Sequence, residues 1–233
     1  MNIHCISING RIEEEAFNTL MHLVSREKRD KIERYLRRED AQRALVADIL
    51  VRVLVCKKTG IRNKELDFFQ NKFGKPFIRN AEGFFFNVSH SGEWVVCAIN
   101  DAETGIDVEK LKDPNIDIAK SFFSREEYED LIHKDECMRL SYFYDLWTLK
   151  ESYVKALGKG FSEPLDSFTI KIQGDAIRCI SRNNPDNLSF RKWDLDSEYK
   201  LAVCSCNIPR EVYLNVQSFE DFYETEISCL KEE

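Results

Sequence analysis

None of the eight cysteines forms a CxxC pair, and no Cys/His cluster stands at zinc-ligand spacing, which excludes the common structural zinc modules. Cys5, Cys56, Cys97, Cys137, Cys179, Cys204, Cys206 and Cys229 are therefore expected to be reduced, mostly buried thiols. A general excess of basic charge is also missing. With a net charge of −7 and a pI near 5.3 the chain is not expected to bind nucleic acid at large, although a local basic pocket remains open to it. The opening stretch MNIHCISING has no charged region followed by an apolar run and a small-residue cleavage site. ALVADILVRVLVC, the longest apolar helix candidate, is interrupted by Asp48 and Arg52 and is too short to cross a bilayer. A cytoplasmic protein without membrane contact is the expectation. No low-complexity linker divides the chain.

What is present suits a globular α+β protein. At 233 residues, 43% of them apolar, the chain can bury a full core as one large domain or two of half the length. HCISI alternates as a short strand, EEEAFNTLMHLV reads as a helix, and SREKRDKIERYL as a second helix capped by Ser25. A long helix from Asp40 to Lys58 is stopped by Gly60. FFFNVSHSGEWVVCAIN then reads as a hairpin turning at Ser91 and Gly92.

The second half repeats the plan. SREEYEDL at 124–131 echoes SREKRDKI at 25–32, FSEP at 161–164 echoes FGKP at 73–76, and a long helix ends at Gly158 or Gly160 as the first ends at Gly60. Because the order of the echoes is kept, an internal duplication is expected. Two similar subdomains, 1–104 and 105–233, would then meet at an interface, where clefts form. Since both halves lie in one chain, a monomer is expected.

Two stretches carry chemistry. In GIDVEK, at 105–110, strand alternation sends Ile106 and Val108 to one face and Asp107 and Glu109 to the other. A half-solvated edge strand explains this pattern, and so does a cation site. In FYDLWTLKESYVKALGKG, Tyr142, Leu146, Leu149, Tyr153 and Ala156 form a core stripe, while Glu151 and Lys155 project from roughly the other side. That pair is either a surface ion pair or part of the same site. With Glu151 as third carboxylate, an all-oxygen set suits Mg²⁺, which keeps few protein ligands and favours phosphate, and Lys155 would offset charge on that phosphate.

GIDVEK, then WTLKESYVKALGKG at 147–160, with FNVSHS at 86–91 upstream, together resemble the signature set of the phosphopantetheinyl transferases. SREKR, REDA and FGKP extend the likeness to the surfactin-synthetase-activating (Sfp) type, through nearly all of the chain and most weakly after residue 170 or so. The resemblance implies a pseudo-twofold fold of two α+β halves with the active site at their interface. It implies transfer of the phosphopantetheine arm of coenzyme A to a serine of an apo acyl or peptidyl carrier protein, releasing adenosine 3′,5′-bisphosphate. Asp107, Glu109 and Glu151 would hold Mg²⁺ against the pyrophosphate, and Lys155 would oppose charge on the leaving oxygen.

The same likeness places His90 on the 3′-phosphate with Ser89 and Ser91 nearby, and Lys28, Lys31 and Lys75 at the nucleotide end. Each has an ordinary alternative as a structural histidine or a solvated lysine. Ala44 departs from the pattern, which has a hydroxyl residue there. Glu127 completes a capping box with Ser124, and in some members a glutamate at this place takes the serine proton, so both roles stand open. Ile118, Phe122 and Phe123 are either core or an apolar patch for the carrier's acidic helix. A metal-dependent phosphohydrolase and a non-catalytic coenzyme A or carrier-binding module are the rival readings.

Overall fold

The computed structural model describes residues 1–112, 117–181 and 187–231. Its first half runs β1 (Asn2–Ser7), α1 (Glu14–Leu23), α2 (Arg26–Ile32), α3 (Arg38–Thr59), β2 (Phe68–Gln70), β3 (Pro76–Ile78), β4 (Phe85–Ser91) and β5 (Trp94–Asn100). The second runs β6 (Thr104–Lys110), α4 (Asp117–Phe122), α5 (Arg125–Ile132), α6 (Glu136–Leu157), β7 (Phe168–Gln173), β8 (Ala176–Ser181), β9 (Ser189–Asp196) and β10 (Tyr199–Ser205). In the first half the sheet order is β1-β5-β4, and in the second β6-β10-β9, so first, last and penultimate strands stand in the same order. Each half also has a small hairpin, β2-β3 or β7-β8.

Both echoed SRE stretches begin helices by the same chemistry. The Ser25 hydroxyl accepts the Lys28 amide and the Ser124 hydroxyl accepts the Glu127 amide, each satisfying a donor that the first turn leaves free. Gly60 and Gly158 close α3 and α6 at φ 74° and 63°, a conformation costly for any residue with a Cβ. Both helices have 22 residues and are apolar on most sides, as helices at the centre of a core are. One core surrounds α3, a second surrounds α6, and a third joins the sheets through Ile3, Cys5, Val96, Ile106, Val108 and Leu201.

Several expectations need correction. Helix α2 ends at Ile32 and does not continue to Leu36, because Ile32 is its only buried residue and nothing apolar anchors another turn. The β4-β5 turn is Gly92-Glu93, since Ser91 still pairs with Trp94. FGKP turns the β2-β3 hairpin, whereas FSEP follows α6, so this echo is not a structural equivalence. The chain's end does not stay with the second half. β11 (Leu214–Ser218) pairs in parallel with β1, and Phe219, Phe222 and Ile227 of α7 (Phe219–Glu226) and its sequel, with Leu230 of α8 (Ser228–Lys231), enter the first core. Four cysteines are buried, Cys5, Cys56, Cys97 and Cys204, and none of the eight is in a disulfide. Among the described residues no helix is long and apolar enough to cross a membrane.

Candidate active site

The two sheets meet along an unusual seam. β6 pairs with β10 on one side only, and its other edge runs beside β4 without a backbone ladder. Backbone donors along that edge need partners, and β4 supplies them from side chains. Asn87 Oδ1 accepts the Ile106 amide at 2.9 Å, and Ser91 Oγ accepts the Lys110 amide at 3.1 Å. Asn87, Ser89 and Ser91 alternate along one face of β4, which is why all three reach β6.

This seam holds the carboxylate pair. Asp107 is 3% exposed. Its Oδ1 accepts from Ser89 Oγ at 2.8 Å and from Lys155 Nζ at 2.6 Å, while Oδ2 is buried without a partner among the described residues. Lys155 also donates to Ser89 Oγ at 2.9 Å and to the Ile106 carbonyl at 3.2 Å. Ser91 Oγ donates to Glu109 Oε2 at 2.7 Å. Helix α6 brings Glu151 and Lys155 to the seam from the second half, one turn apart on one face.

Charge crowding shows in the protonation equilibria. Burial raises the pKa of Asp107, with Lys155 and Ser89 pulling the other way. Burial, and then the charge of Asp107, push Glu109 up to about 7. Glu151 is raised by burial and then by Asp107, with Lys155 opposing. Among the described residues a single ammonium, that of Lys155, bonds to the group, which leaves these carboxylates short of cationic compensation.

Among the described residues no three His, Cys, Asp or Glu side chains stand close enough as placed to hold a metal ion, so the expected cage is not closed. The donor set still fits Mg²⁺. All three groups are hard oxygen donors, the orphaned Asp107 Oδ2 needs a cation or donor, and Mg²⁺ takes few protein ligands beside phosphate oxygens.

A cavity of about 670 Å³ opens beside the seam, with Asn87, Glu151 and Lys155 in its wall next to Phe122, Trp147 and Val154. A second, of about 570 Å³, is lined by Lys28, Lys31 and Arg52 with Phe86 and Val88. Gly74 and Pro76 line both. The structure therefore brings Lys28 and Lys31 together, Lys28 lying 3.5 Å from Asp48, which also pairs with Arg52. His90 follows Phe86 and Val88 on that face of β4, opposite Ser89 and Ser91. Its ring reaches solvent, yet crowding by the protein lowers its pKa, and the charges of Arg43 and Lys155 lower it further. Ala44 lies in the first core, 5% exposed, with no polar atom to offer a ligand.

Two expected residues do other work. Lys75 Nζ donates to Glu103 Oε2 at 2.6 Å and to the Thr104 and Ala156 carbonyls at 3.2 Å each. With three acceptors its ammonium is occupied, and it ties the β2-β3 turn to the C-terminal end of α6, where a cation is favoured. Glu127 is fully buried. Both its oxygens bond Lys150 Nζ at 2.7 Å, one also accepts the Ile170 amide at 2.6 Å and the other the Ser124 amide at 2.7 Å. So sealed, it does not face the cleft, and the proton-acceptor role fails on access.

That pair makes a stability prediction. Lys150→Met leaves Glu127 buried without its counter-charge, and chemical denaturation should show a loss of about 3 kcal/mol, only partly recovered when Glu127→Leu is added, because the Ile170 and Ser124 amides then lose their acceptor. An unchanged stability with lost transfer in Glu127→Gln would contradict the structural role. Phe123 is core, whereas Ile118 and Phe122 are each 41% exposed. Asn87 and Arg43 escaped the sequence reading. The i, i+2, i+4 spacing of Asn87, Ser89 and Ser91 could have found the first, but Arg43, whose Nη1 donates to the Gly92 carbonyl at 2.7 Å, depends on a contact no local pattern announces.

Comparison with known proteins identifies the family. Residues 11–102 match the family model described as 4′-phosphopantetheinyl transferase, N-terminal, and residues 103–204 match that of the 4′-phosphopantetheinyl transferase superfamily. A 4′-phosphopantetheinyl transferase of Bacillus subtilis is 41% identical over 89% of this chain and 93% of that protein. The 4′-phosphopantetheinyl transferase Sfp of Bacillus subtilis (strain 168) is 38% identical over 95% of this chain and 99% of that protein. A holo-(acyl-carrier-protein) synthase of Bacillus anthracis is a fainter structural likeness, with a TM-score of 0.40 and 14% identity over 45% of this chain and 94% of that one. Matched in both halves and similar to such relatives along most of its length, the chain belongs to the Sfp-like 4′-phosphopantetheinyl transferases.

Proposed function

We propose that the protein transfers the 4′-phosphopantetheine group of coenzyme A to a serine hydroxyl of an apo acyl or peptidyl carrier protein, at the β4-β6-α6 seam, and releases adenosine 3′,5′-bisphosphate. The observation that carries this reading is the convergence of Asp107, Glu109, Glu151 and Lys155, two elements' worth of charge around one orphaned carboxylate oxygen, beside a cavity on each side of the FGKP turn. The matching strand orders support two subdomains related by a pseudo-twofold axis, 1–104 and 105–205, with the last strand and helices returned to the first. Both walls of the cleft come from one chain, so a monomer suffices.

Asp107, Glu109 and Glu151 would hold Mg²⁺, which when bound supplies neutralisation of the diphosphate's charge. Lys155 Nζ, now shared between Asp107 and Ser89, is the cation within reach of the leaving oxygen, and it can turn to that oxygen while Ser89 continues to hold Asp107. The lysines of the second cavity, Lys28 and Lys31, suit the phosphorylated nucleotide end, with His90 farther along the same strand face. With Glu127 sealed, Glu151, one of three acidic residues in the cavity wall beside Glu163 and Asp166 and the one a helical turn from Lys155, is the group that would accept the serine proton as the oxygen attacks the β-phosphorus. The exposed Phe122 beside Trp147 offers the carrier an apolar contact near that serine.

Mass spectrometry of an apo carrier protein incubated with the enzyme, coenzyme A and Mg²⁺ tests the reading. The expected result is a mass gain equal to the phosphopantetheine group, abolished by chelation. Cleavage of coenzyme A with an unmodified carrier would favour a phosphohydrolase, and binding without either product a non-catalytic module.

A further inference from the structure

The β4-β5 turn, Gly92-Glu93, belongs to the first half of the chain, yet the second half takes hold of it. The Glu93 amide donates to the Tyr199 phenol oxygen at 2.9 Å. Tyr199 opens β10, is 2% exposed, and pairs across the sheet with Lys110, the last residue of β6. Its ring stands edge-on to that of Trp94 at 6.5 Å, and Trp94 Nε1 in turn donates to Asp196 Oδ2 at 3.0 Å. A Cβ on Gly92 would lie 2.1 Å from the phenol oxygen, and Gly92 has a φ of 55°, so glycine is required here both by the turn and by the tyrosine packed on it.

The first half completes the grip. Arg43 Nη1 donates to the Gly92 carbonyl at 2.7 Å, and the amide of Ile8, just past β1, donates to the Glu93 carbonyl at 2.7 Å. Polar groups that a hairpin tip ordinarily turns to water are instead bonded to α3, to the end of β1 and to β10. The tip is thus fixed from both halves.

What depends on the tip is the residue before it. Ser91 Oγ accepts the Lys110 amide at 3.1 Å and spends its one proton on Glu109 Oε2 at 2.7 Å. Because β4 and β6 share no backbone ladder, the placing of Ser91 against Glu109 rests on side-chain bonds, and the Tyr199 bond at Glu93 is the next tie between the halves. A hairpin end released from such a tie opens locally, and Ser91 would move with it.

We infer that Tyr199 is a positioning residue for the cation site: by holding Glu93 it keeps Ser91 in register with Glu109, and so keeps that carboxylate turned for the metal. The inference rests on the proposed function and adds to it a residue that lines neither of the two cavities beside the seam. Its effect must therefore pass through Ser91. Partners that orient a ligating side chain commonly matter to metal affinity as much as tenfold or more, and Tyr199 stands one bond farther out than Ser91.

A double-mutant cycle on Mn²⁺ affinity, read by electron paramagnetic resonance with coenzyme A present, tests the assignment, since residues that act through one another are not additive. Tyr199→Phe removes the acceptor and keeps the ring with its packing. Affinity should fall about fivefold in Tyr199→Phe and about tenfold in Ser91→Ala, whereas adding Tyr199→Phe to Ser91→Ala should cost less than about twofold more. Amide exchange followed by nuclear magnetic resonance reports the bond itself, and at Glu93 it should quicken at least about tenfold in Tyr199→Phe. Normal Mn²⁺ affinity in Tyr199→Phe would overturn the positioning role even if stability fell. So would the same fivefold loss with Ser91 already replaced, or unchanged exchange at Glu93. If the unaltered protein bound no Mn²⁺, the cation site itself would fall and the role of Tyr199 with it.

Discussion

Gly105→Ala is expected to lower stability by about 4 kcal/mol and transfer by at least about 10²-fold, because a Cβ at this position would lie 2.0 Å from the Ser152 carbonyl oxygen and 2.4 Å from the Ala156 nitrogen. Both atoms are α6 backbone, which no side-chain rotation relieves. The helix must move away from β6, or β6 must move from β4. Ser152 and Ala156 each follow directly on a residue of the site, Glu151 and Lys155, so the displaced segment is the one that carries the chemistry. Denaturant unfolding and steady-state transfer, measured on the same preparation, check the two effects together. A variant of normal stability and normal rate would show that α6 does not pack on Gly105 as described.

Asp107→Asn should give the opposite division, with transfer reduced by about 10³-fold and the unfolding midpoint shifted by no more than a few degrees. The amide keeps an oxygen for Ser89 and Lys155 and differs from the carboxylate by little in shape. What it removes is a charge that burial already disfavours, as the raised pKa of Asp107 shows, so folding loses little by its absence. Function loses the group around which Lys155, Ser89 and the other two carboxylates are arranged. A site that costs stability to maintain is the expected trade between folding and activity. If Asp107→Asn transferred at a normal rate, charge at this position would not matter and the metal reading would lose its principal ligand.

Much of this was legible along the chain because it depends on local chemistry. Ser25 and Ser124 cap helices where serine precedes a charged run, Gly60 and Gly158 end them, and alternation in GIDVEK separates Ile106 and Val108 from Asp107 and Glu109 as the fold requires. Lys155 does reach Asp107, whereas among the described residues the three carboxylates do not stand close enough as placed to close a metal site. What was not legible depends on distant partners. Lys75 is claimed by carbonyls of Thr104 and Ala156, and Glu127 by Lys150 and the Ile170 amide, from elements that no local window contains. The return of β11 to β1 is likewise a choice between two sheet edges, made by long-range packing of Phe219, Phe222 and Leu230 on the first core. Asn87 hid in plain view between two apolar residues, since its value lies in a seam between sheets and not in its own strand.

The account's central claim is that carboxylates from β6 and α6 form one cation site shared with the diphosphate of coenzyme A. Its most direct test is titration of Mn²⁺, as a paramagnetic substitute for Mg²⁺, followed by electron paramagnetic resonance in the presence of coenzyme A, on the unaltered protein and on Glu151→Gln. A single tight site is predicted, weakened at least about 10- to 100-fold by the substitution, which removes a charged ligand and leaves the α6 backbone in place. Equal Mn²⁺ affinity in the two proteins would contradict the claim.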